Sequence, residues 1–387
     1  SPYPRRRIGE ILGSRGALDH RALTGALMRP TSPERGPIGP SLLQGRHVSL
    51  SDRATGLALQ KGILQVSVTG AGLDTTLVDL LGADRCLQLG LVPWRSENGR
   101  VIVAAGRPEQ CPAIRGELEA ALGPVRLALA DEAAIRSALV TRRSGWLAEA
   151  AVGRTPRYLS VRHWRPGAIA RAVTLGAALV AGTLALAPGP AMTMLLMWSC
   201  MMLAAMTALR LSALWLFLRD ADTAPRPAPD SSLLPRISVL VPLLSEGAVT
   251  RHLIGQLEAI DYPKDRLEIF LVTESDDRDT AAVLNRSPLP PHIRRIVVPP
   301  GPLRTKPRAL NYAFDFTRGD ILGVWDAEDA PAPDQLRSVA AAFAHAPPEV
   351  VCLQGRLDFY NAGQNWLSRC FALDYAAWFR IVLPGLA

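Results

Sequence analysis

Three carboxylates stand within four positions of the stretch VWDAEDAPAPDQL, which covers 324–336. Asp326, Glu328 and Asp329 directly follow an apolar run. Because like charges packed together repel one another, such a group needs a cation or a proton among its members. Carboxylate oxygens suit a divalent cation, and a metal held by Asp or Glu can neutralise a departing diphosphate. The group alone does not distinguish a cation from a proton, and the other charged residues of this part of the chain are needed to do so.

More charged residues stand at comparable places in the same part of the chain. Glu246 and Glu274 come at the ends of the first two apolar runs, and Lys306 and Arg308 open a helix-like stretch behind the third. Cations at a helix N-terminus can reach phosphates, and the helix dipole favours the same negative charge. The two glutamates could accept hydrogen bonds from a uracil or a ribose. The pattern predicts a nucleotide-sugar site.

These residues need elements that bring them together. From residue 236 onwards, apolar β-rich runs alternate with stretches of helical apolar spacing. The predicted strands are 236–244, 267–273, 293–299, 321–326 and 350–355, and predicted helices include 248–260, 306–317 and 332–346. This alternation is typical of a doubly wound, mostly parallel α/β sheet, in which ligands bind at the carboxyl ends of the strands. We therefore expect the acidic strand ends to converge.

The middle of the chain is apolar. The sequence is 48% hydrophobic with a net charge of +8, and 172–209 contains no Asp, Glu, Lys or Arg. A Pro-Gly-Pro turn at 188–190 predicts two helices, about 168–187 and about 191–218, each near the ~20 residues that cross a bilayer. Flanking arginines place both ends in the cytoplasm by the positive-inside rule. The alternative is a buried hairpin of a soluble protein. A Pro-, Asp- and Ser-rich linker, 220–235, follows.

Residues 236–386 resemble family-2 glycosyltransferases of the processive, cellulose-synthase-like kind. The matching motifs are VPLLSE (241–246), ESDDRDT (274–280), TKPRALNYA (305–313), DAEDAPAPDQL (326–336) and the stretch 353–379. The resemblance implies a GT-A fold over 236–387, an inverting reaction, and Mg²⁺ or Mn²⁺ held by Asp326 and Glu328. It assigns Glu246 and Glu274 to the nucleoside and Lys306 to the diphosphate. Asp329 remains an alternative to Glu328.

The acceptor side of that family is not found in this sequence. A T-E-D-like motif and a Q-x-x-R-W motif are absent from the 387 residues. We therefore expect both motifs, and the base that activates the acceptor hydroxyl, to lie beyond Ala387 in a longer enzyme.

The N-terminal third contains an internal repeat at an offset of 30 residues. The segment 7–30 is echoed by 37–60, and the apolar spacing predicts a small helical bundle over 1–62. A small α/β unit, 63–150, follows, with two strands around a turn at 97–99 and helices near 110–122 and 132–141. This unit carries no catalytic constellation, and Trp94 within it is interpreted as a core residue.

Residues 7–150 resemble the N-terminal domain of type II secretion and pilus-assembly ATPases. One subclass of that domain binds cyclic di-GMP through two tandem units. The resemblance assigns the ligand to residues of both units, with Arg35 in place of an arginine that the second unit lacks: Arg7, Gly9, Leu12, Arg35, Gly39, Leu42 and Gln60. Arginine planes can stack on guanines and pair with phosphates. A structural or docking module is the alternative.

The whole combination resembles the bacteriophage adsorption protein B (NfrB-like) group of inner-membrane glycosyltransferases. That resemblance implies a multi-pass protein of the bacterial inner membrane that makes an amino-sugar polymer under cyclic di-GMP control. Its partners would be a UDP-sugar donor, a glycan acceptor, the lipid bilayer and an outer-membrane export protein, but no nucleic acid. Two other hypotheses remain: a membrane-anchored cyclic di-GMP sensor with a degenerate transferase domain, and a secretion-system assembly subunit.

Overall fold

The computed structural model describes residues 63–108, 111–161, 166–219, 234–301, 303–359 and 361–386. The tandem repeat, with the seven residues assigned to cyclic di-GMP, lies outside the described residues, as does most of the predicted linker 220–235. The chain divides into two compact units. One runs to Arg154 and resumes over Pro235–Pro331, and the other comprises Thr155–Leu234 and Ala332–Ala387.

The first unit contains a small mixed sheet. Its strands are β1 (Leu64–Gln65), β2 (Leu91–Glu97), β3 (Arg100–Ala105) and β4 (Val125–Leu129), in the order β1-β4-β3-β2. Strands β2 and β3 form the predicted antiparallel hairpin, whose turn residues Asn98 and Gly99 both have positive φ. Strand β4 runs parallel to β3 and to β1. Neither β1 nor β4 was predicted, since both are short.

Four helices accompany this sheet: α1 (Thr75–Leu81), α2 (Ala83–Leu89), α3 (Arg115–Leu122) and α4 (Glu132–Gly153). The carboxylate of Asp131 caps α4 by accepting a hydrogen bond from the Ala134 amide at 3.1 Å. Helix α4 extends well past its predicted end because it continues through a kink at Arg143, where φ is −128°. Polar residues at 141–144 interrupt the apolar spacing there. Trp94 packs, partly buried, against the core.

The second sheet of this unit is entirely parallel. Its strands are β5 (Ile237–Leu243), β6 (Leu267–Glu274), β7 (Ile293–Val298) and β8 (Ile321–Val324), in the order β7-β6-β5-β8. The connecting helices are α7 (Gly247–Glu258), α8 (Arg278–Arg286) and α9 (Lys306–Phe314). This arrangement confirms the predicted α/β architecture. Every residue of β6 is buried, as a strand covered on both faces should be.

The predicted strand at 350–355 is wrong. The segment has no regular structure, and its residues are exposed. It pairs with no other segment of the described chain, so its amides have no ladder partners. A short apolar run forms a strand only where a neighbouring strand can pair with it, and the sequence alone does not show whether that neighbour is present.

The two sheets of the first unit share one hydrophobic core. Leu139, Leu147 and Ala151 of α4 belong to the same buried cluster as Tyr312 of α9 and Phe270 of β6. An ion pair crosses the same boundary, where the Arg318 guanidinium lies 2.6 Å from the Glu132 carboxylate. The small α/β unit and the parallel sheet are therefore packed as one body.

The second unit contains two long apolar helices, α5 (Pro166–Leu186) and α6 (Pro188–Arg219). Both are long and apolar enough to cross a membrane, and only 0% and 6% of their most apolar windows are buried. A hairpin in a soluble core would be mostly buried. The predicted Pro-Gly-Pro turn is wrong: the helices are interrupted at Ala187 alone, and Pro188 begins α6, where a missing amide hydrogen costs nothing.

The same unit contains the shorter helices α10 (Gln335–His345), α11 (Trp366–Ala377) and α12 (Leu383–Leu386), with a π-helical turn at Trp378–Val382. Gly385 of α12 packs against the backbone carbonyl of Ala213 in α6. A Cβ atom at position 385 would collide with that carbonyl. Helix α12 is thereby held against the last third of α6.

Replacing Gly90 with alanine should destabilise the protein more than the same change at Gly99. Both glycines have positive φ, 63° and 72°, which costs an alanine roughly 1 kcal/mol. A Cβ atom at Gly99 meets nothing within 4 Å, whereas at Gly90 it would strike the Arg318 guanidinium that pairs with Glu132. We expect a further loss of roughly 1–2 kcal/mol for Gly90→Ala in chemical denaturation. Equal losses for the two variants would contradict this packing.

Candidate functional site

The predicted acidic residues lie at one edge of the parallel sheet. Leu243 of β5 pairs with Thr273 of β6, and Leu240 of β5 pairs with Val324 of β8. Because these strands are parallel, their carboxyl ends face the same side. Glu274 is the last residue of its strand, and Glu246 and Asp326 follow theirs by three and two residues. The carboxyl edge is where open α/β sheets bind ligands.

Glu274 is the last residue of β6 and forms a buried ion pair with Arg308. The two residues are 7% and 3% exposed, and Nη1 of Arg308 lies 3.4 Å from Oε2 of Glu274. Burial raises the pKa of the Glu274 carboxyl, and the charge of Arg308 opposes that rise. The guanidinium also donates to the carbonyl of Leu303 at 3.0 Å and to that of Pro299. This enclosure favours a positioning role for Arg308 over the expected direct contact with phosphate.

Lys306, two residues earlier, has a different environment. It is the first residue of α9 and forms an ion pair with the Asp326 carboxylate. Both side chains are about half exposed, at 49% and 46%. A solvent-accessible lysine at a helix N-terminus favours anion binding, because its charge and the helix dipole both attract negative charge. The pair therefore links the first turn of α9 to the loop that follows β8.

The loop after β8 answers part of the question about Glu328 and Asp329. The Asp326 amide donates to Oδ2 of Asp329 at 3.0 Å, and the Asp329 amide donates to the Asp326 carbonyl at 3.2 Å. The Asp329 carboxylate thus fastens the turn, whereas Glu328 is exposed. This geometry favours Glu328 over Asp329 as the second carboxylate available to a metal, and that assignment stays a prediction.

The donor set is compatible with a divalent cation that is shared with substrate. Among the residues that the structure describes, no three His, Cys, Asp or Glu side chains are grouped so that they could hold a metal. Mg²⁺ typically takes only one or two carboxylates from the protein and completes its shell with phosphates and water. Asp326 and Glu328 offer oxygen atoms of that kind.

The turn between β5 and α7 is conformationally strained. Ser245 has φ of 60°, a left-handed conformation that is unfavourable for a residue with a Cβ atom. Its amide donates to Oδ2 of Asp277 at 2.8 Å, and the amide of Glu246 donates to Oγ1 of Thr280 at 3.0 Å. Strain of this kind costs of order 1–3 kcal/mol and clusters at functional sites. The two bonds to the start of α8 fix the half-buried Glu246.

Sequence reasoning gave no role to three further residues of this edge, Asp276, Asp277 and Arg304. Burial works to raise the pKa of Asp277, but hydrogen bonds from Ser245 and Thr280 outweigh it and lower the pKa. Asp277 also caps α8 through the Thr280 amide, and the Asp-x-x-Thr spacing was a usable N-cap signal. Arg304 lies 3.1 Å from Asp276 in an exposed pair that no local pattern indicates.

Replacing Arg308 should lower the free energy of unfolding much more than replacing Lys306. Arg308→Ala leaves Glu274 buried without its partner, which typically costs 3–5 kcal/mol, so we expect a loss in that range in urea denaturation. Lys306→Ala removes a half-exposed pair and should cost no more than ~1 kcal/mol. A large loss for Lys306→Ala, or a negligible one for Arg308→Ala, would contradict the division between a buried positioning residue and an exposed binding residue.

Comparison with known proteins gives two family matches. Residues 235–380 match the model described as glycosyltransferase like family 2, and residues 62–144 match the MshEN domain. The beta-monoglucosyldiacylglycerol synthase of Synechocystis sp. is 32% identical over 199 residues, which are 49% of this chain and 41% of that protein. The probable glycosyltransferase YdaM of Bacillus subtilis is 35% identical over 166 residues, 39% of each chain. The chain thus spans about two fifths of the length of these relatives.

Solved structures also resemble parts of the chain. The mannosyltransferase PcManGT from Pyrobaculum calidifontis, in complex with GDP-Man and Mn²⁺, is 29% identical with a TM-score of 0.33, covering 41% of this chain and 47% of that one. The structure of MshE with cdg is 20% identical with a TM-score of 0.30, covering 36% and 99%. Residues 62–144 are thus similar to the MshEN domain, and residues 235–380, which include the parallel sheet, form an α/β domain similar to glycosyltransferase family 2.

Proposed function

We propose that this chain transfers a sugar from a UDP-sugar to a growing glycan, with inversion at the anomeric carbon. The observation that carries the proposal is the grouping of Glu274, Lys306 and Asp326 at the carboxyl edge of the parallel sheet. In such a site the Glu274 carboxylate can accept hydrogen bonds from a nucleoside, and the Lys306 ammonium next to it can bind a diphosphate. The family-2 domain and its glycosyltransferase relatives support the reaction class.

Each residue of the edge has a distinct role in this proposal. Glu246 and Glu274 accept hydrogen bonds from the uracil and the ribose, and Arg308 holds Glu274 in place. Lys306 contacts the diphosphate, and its ion pair with Asp326 is exchanged when the negatively charged donor arrives. A divalent cation bound by Asp326 and Glu328 would neutralise the diphosphate as it departs.

The donor and the acceptor follow from the resemblance to the bacteriophage adsorption protein B group. We propose an N-acetylated hexosamine as the sugar and an extracellular polysaccharide as the product, handed to an outer-membrane export partner. A second acceptor is a diacylglycerol lipid, which the name of the Synechocystis relative suggests. The exposed apolar surface of α5 and α6 is compatible with access to either acceptor from a bilayer.

The proposed location is the bacterial inner membrane, with α5 and α6 spanning it and both soluble domains in the cytoplasm. The arginines near the two ends of the pair support that orientation, since positive charge is retained on the cytoplasmic side: Arg154, Arg157, Arg162, Arg165 and Arg171 before it, and Arg210 and Arg219 after it. UDP-sugars are cytoplasmic substrates, so this orientation places the donor site on the side of its substrate.

The MshEN domain supports regulation by cyclic di-GMP. We assign its ligand to Arg7, Gly9, Leu12, Arg35, Gly39, Leu42 and Gln60. A sensor whose transferase domain is degenerate would share this binding but would lack sugar transfer. Measurements of turnover and of binding on the same preparation separate these two functions.

Asp326→Asn should abolish transfer by the full-length protein in membrane vesicles. We expect a fall of at least ~10²-fold in incorporation from radiolabelled UDP-N-acetylglucosamine, because the variant loses a carboxylate at the point where diphosphate charge develops. Asp265→Asn, an exposed acid ahead of the amino end of β6, is the matched control and should retain full activity. Removal of divalent cations with EDTA should abolish activity, and added Mn²⁺ or Mg²⁺ should restore it.

Full activity of Asp326→Asn would overturn the metal and diphosphate assignment. Product analysis with UDP-glucose and UDP-N-acetylglucosamine, followed by lipid extraction, distinguishes a polysaccharide from a glycolipid. Absence of transfer from every nucleotide sugar, in a full-length protein that still binds cyclic di-GMP, would favour the sensor function.

Binding of cyclic di-GMP should depend on Arg7. In isothermal titration of the full-length protein in detergent, we expect Arg7→Ala to weaken binding roughly tenfold or more, because a charge-assisted contact to phosphate is lost. Arg5→Ala, in the same basic run, is the control and should bind as the wild type does. No heat from a folded wild-type protein would remove cyclic di-GMP from the proposal.

A further inference from the structure

Helix α9 connects the donor site to the N-terminal domain, by which we mean the small α/β unit with β1–β4, α1–α4 and the adjoining Arg154. Its first residue is Lys306, which pairs with Asp326, and it ends at Phe314, beside Asp315. At 1.5 Å per residue a helix of this length spans ~13 Å, and a single short helix moves as a rigid rod. A contact that fixes the carboxyl end of α9 therefore also fixes the position of Lys306.

One face of α9 is buried between two layers. Ala309, Tyr312 and Ala313 are at most 6% exposed and lie in the core cluster that includes Phe270 of the parallel sheet. The same cluster includes Leu147 of α4, in the N-terminal domain. Apolar packing holds the helix between these layers but is non-directional, so it does not fix rotation or sliding along the axis.

Directional contacts come from the N-terminal domain at the carboxyl end of α9. The side-chain amide of Asn311 donates to the backbone carbonyl of Ala151 at 3.0 Å. The Asp315 carboxylate, which is 0% exposed, forms an ion pair with Arg154, which follows α4 directly. Gln88 of α2 approaches the same carboxylate oxygen at 3.5 Å.

Asp315 is unfavourable for the fold without Arg154. A carboxylate at the C-terminus of a helix faces the negative end of the helix dipole, and this one is also removed from water. Burial raises the pKa of Asp315, and the guanidinium of Arg154 opposes that rise. A helix that merely needed to pack would be better served by an apolar residue or a lysine at this position. The pair therefore fixes the carboxyl end of α9 relative to α4, because any displacement that breaks it leaves the Asp315 carboxylate buried without a partner.

We propose that Arg154, Asn311 and Asp315 are positioning residues for the donor site, through which α4 and the small α/β unit that it belongs to set the placement of Lys306. The proposal rests on the proposed function only for its effect on sugar transfer. Its structural part does not depend on sugar transfer: contacts from α4 restrain α9, and with it Lys306. It also provides the route by which a change in the N-terminal domain would reach the diphosphate-binding lysine.

The test compares two arginines of the same region in the full-length protein. Arg154→Ala removes the partner of Asp315, whereas Arg143→Ala removes an ion pair of α4 with Asp79 of α1 that stays inside the N-terminal domain. The two arginine side chains are similarly exposed, at 27% and 23%. Arg154→Lys is the conservative rescue variant.

The first readout is amide hydrogen exchange over 306–314, which needs no activity. We expect Arg154→Ala to accelerate exchange over 309–314, where the amides are hydrogen-bonded within the helix, while Arg143→Ala leaves it at the wild-type rate, because only the former releases the helix. The second readout is sugar transfer, where Arg154→Ala should raise the KM for the UDP-sugar roughly tenfold with a smaller change in kcat. Arg154→Lys should recover most of that loss.

Equal behaviour of Arg154→Ala and Arg143→Ala in both readouts would overturn the proposal, since the pair would then be an ordinary packing contact. If Arg154→Ala does not fold, Asn311→Ala takes its place, because it removes one hydrogen bond without leaving a buried charge. A wild-type protein that transfers no sugar would refute the proposed function, and the exchange measurement would still decide whether α4 restrains α9.

Discussion

Parallel pairing of the second sheet is the constraint on which the candidate site depends. In a parallel sheet every strand ends at the same edge, so residues far apart in sequence are brought together without any contact of their own. Glu246, Glu274 and Asp326 follow three different strands and share nothing else. The apolar burial of β5 and β6 stabilises this arrangement.

Buried charge pairs then refine what the sheet places approximately. Arg308 and Glu274 fix the end of β6 against α9, and Arg318 and Glu132 connect the two sheets of the first unit. Such pairs add little net stability, because desolvation offsets much of their attraction. Their value is geometric, since a displaced partner leaves an uncompensated charge. The exposed pair of Lys306 and Asp326 differs in that water can replace either partner, and an anion can replace Asp326 beside Lys306, at small cost.

The small α/β unit, which carries the MshEN match, and the domain similar to glycosyltransferase family 2 are joined physically through α4 and α9. A regulatory domain joined only by a flexible linker could act on an enzyme only through its occupancy or local concentration. Here Leu147 and Ala151 share a core with Tyr312, and Asn311 bonds to the backbone of α4. The helix that carries the exposed lysine of the candidate site is therefore also part of the interface with the small α/β unit.

Much of the site was predictable because its signals are local. An apolar run that ends in Glu274 or Asp326 indicates both a strand and a charged residue at its carboxyl end, and a charge-free stretch over 172–209 indicates two apolar helices. The predictions of a strand at 350–355 and of a turn at 188–190 were wrong for two different reasons. A strand needs a partner that the run does not encode, and Pro188 is as compatible with the first turn of a helix as with a loop.

The sequence by itself determined the alternation of strands and helices, the identity of the charged strand ends and the presence of two apolar helices, because each follows from short-range periodicity. Only the tertiary structure decided which of those charges face solvent. Lys306 and Arg308 are two residues apart on one helix turn, yet one is half exposed and the other is enclosed by Glu274 and the carbonyls of Pro299 and Leu303. Asp315 is likewise buried against a partner, Arg154, that lies 161 positions away in the sequence. Burial depends on neighbours that are distant in sequence, and those neighbours assign each charge its role.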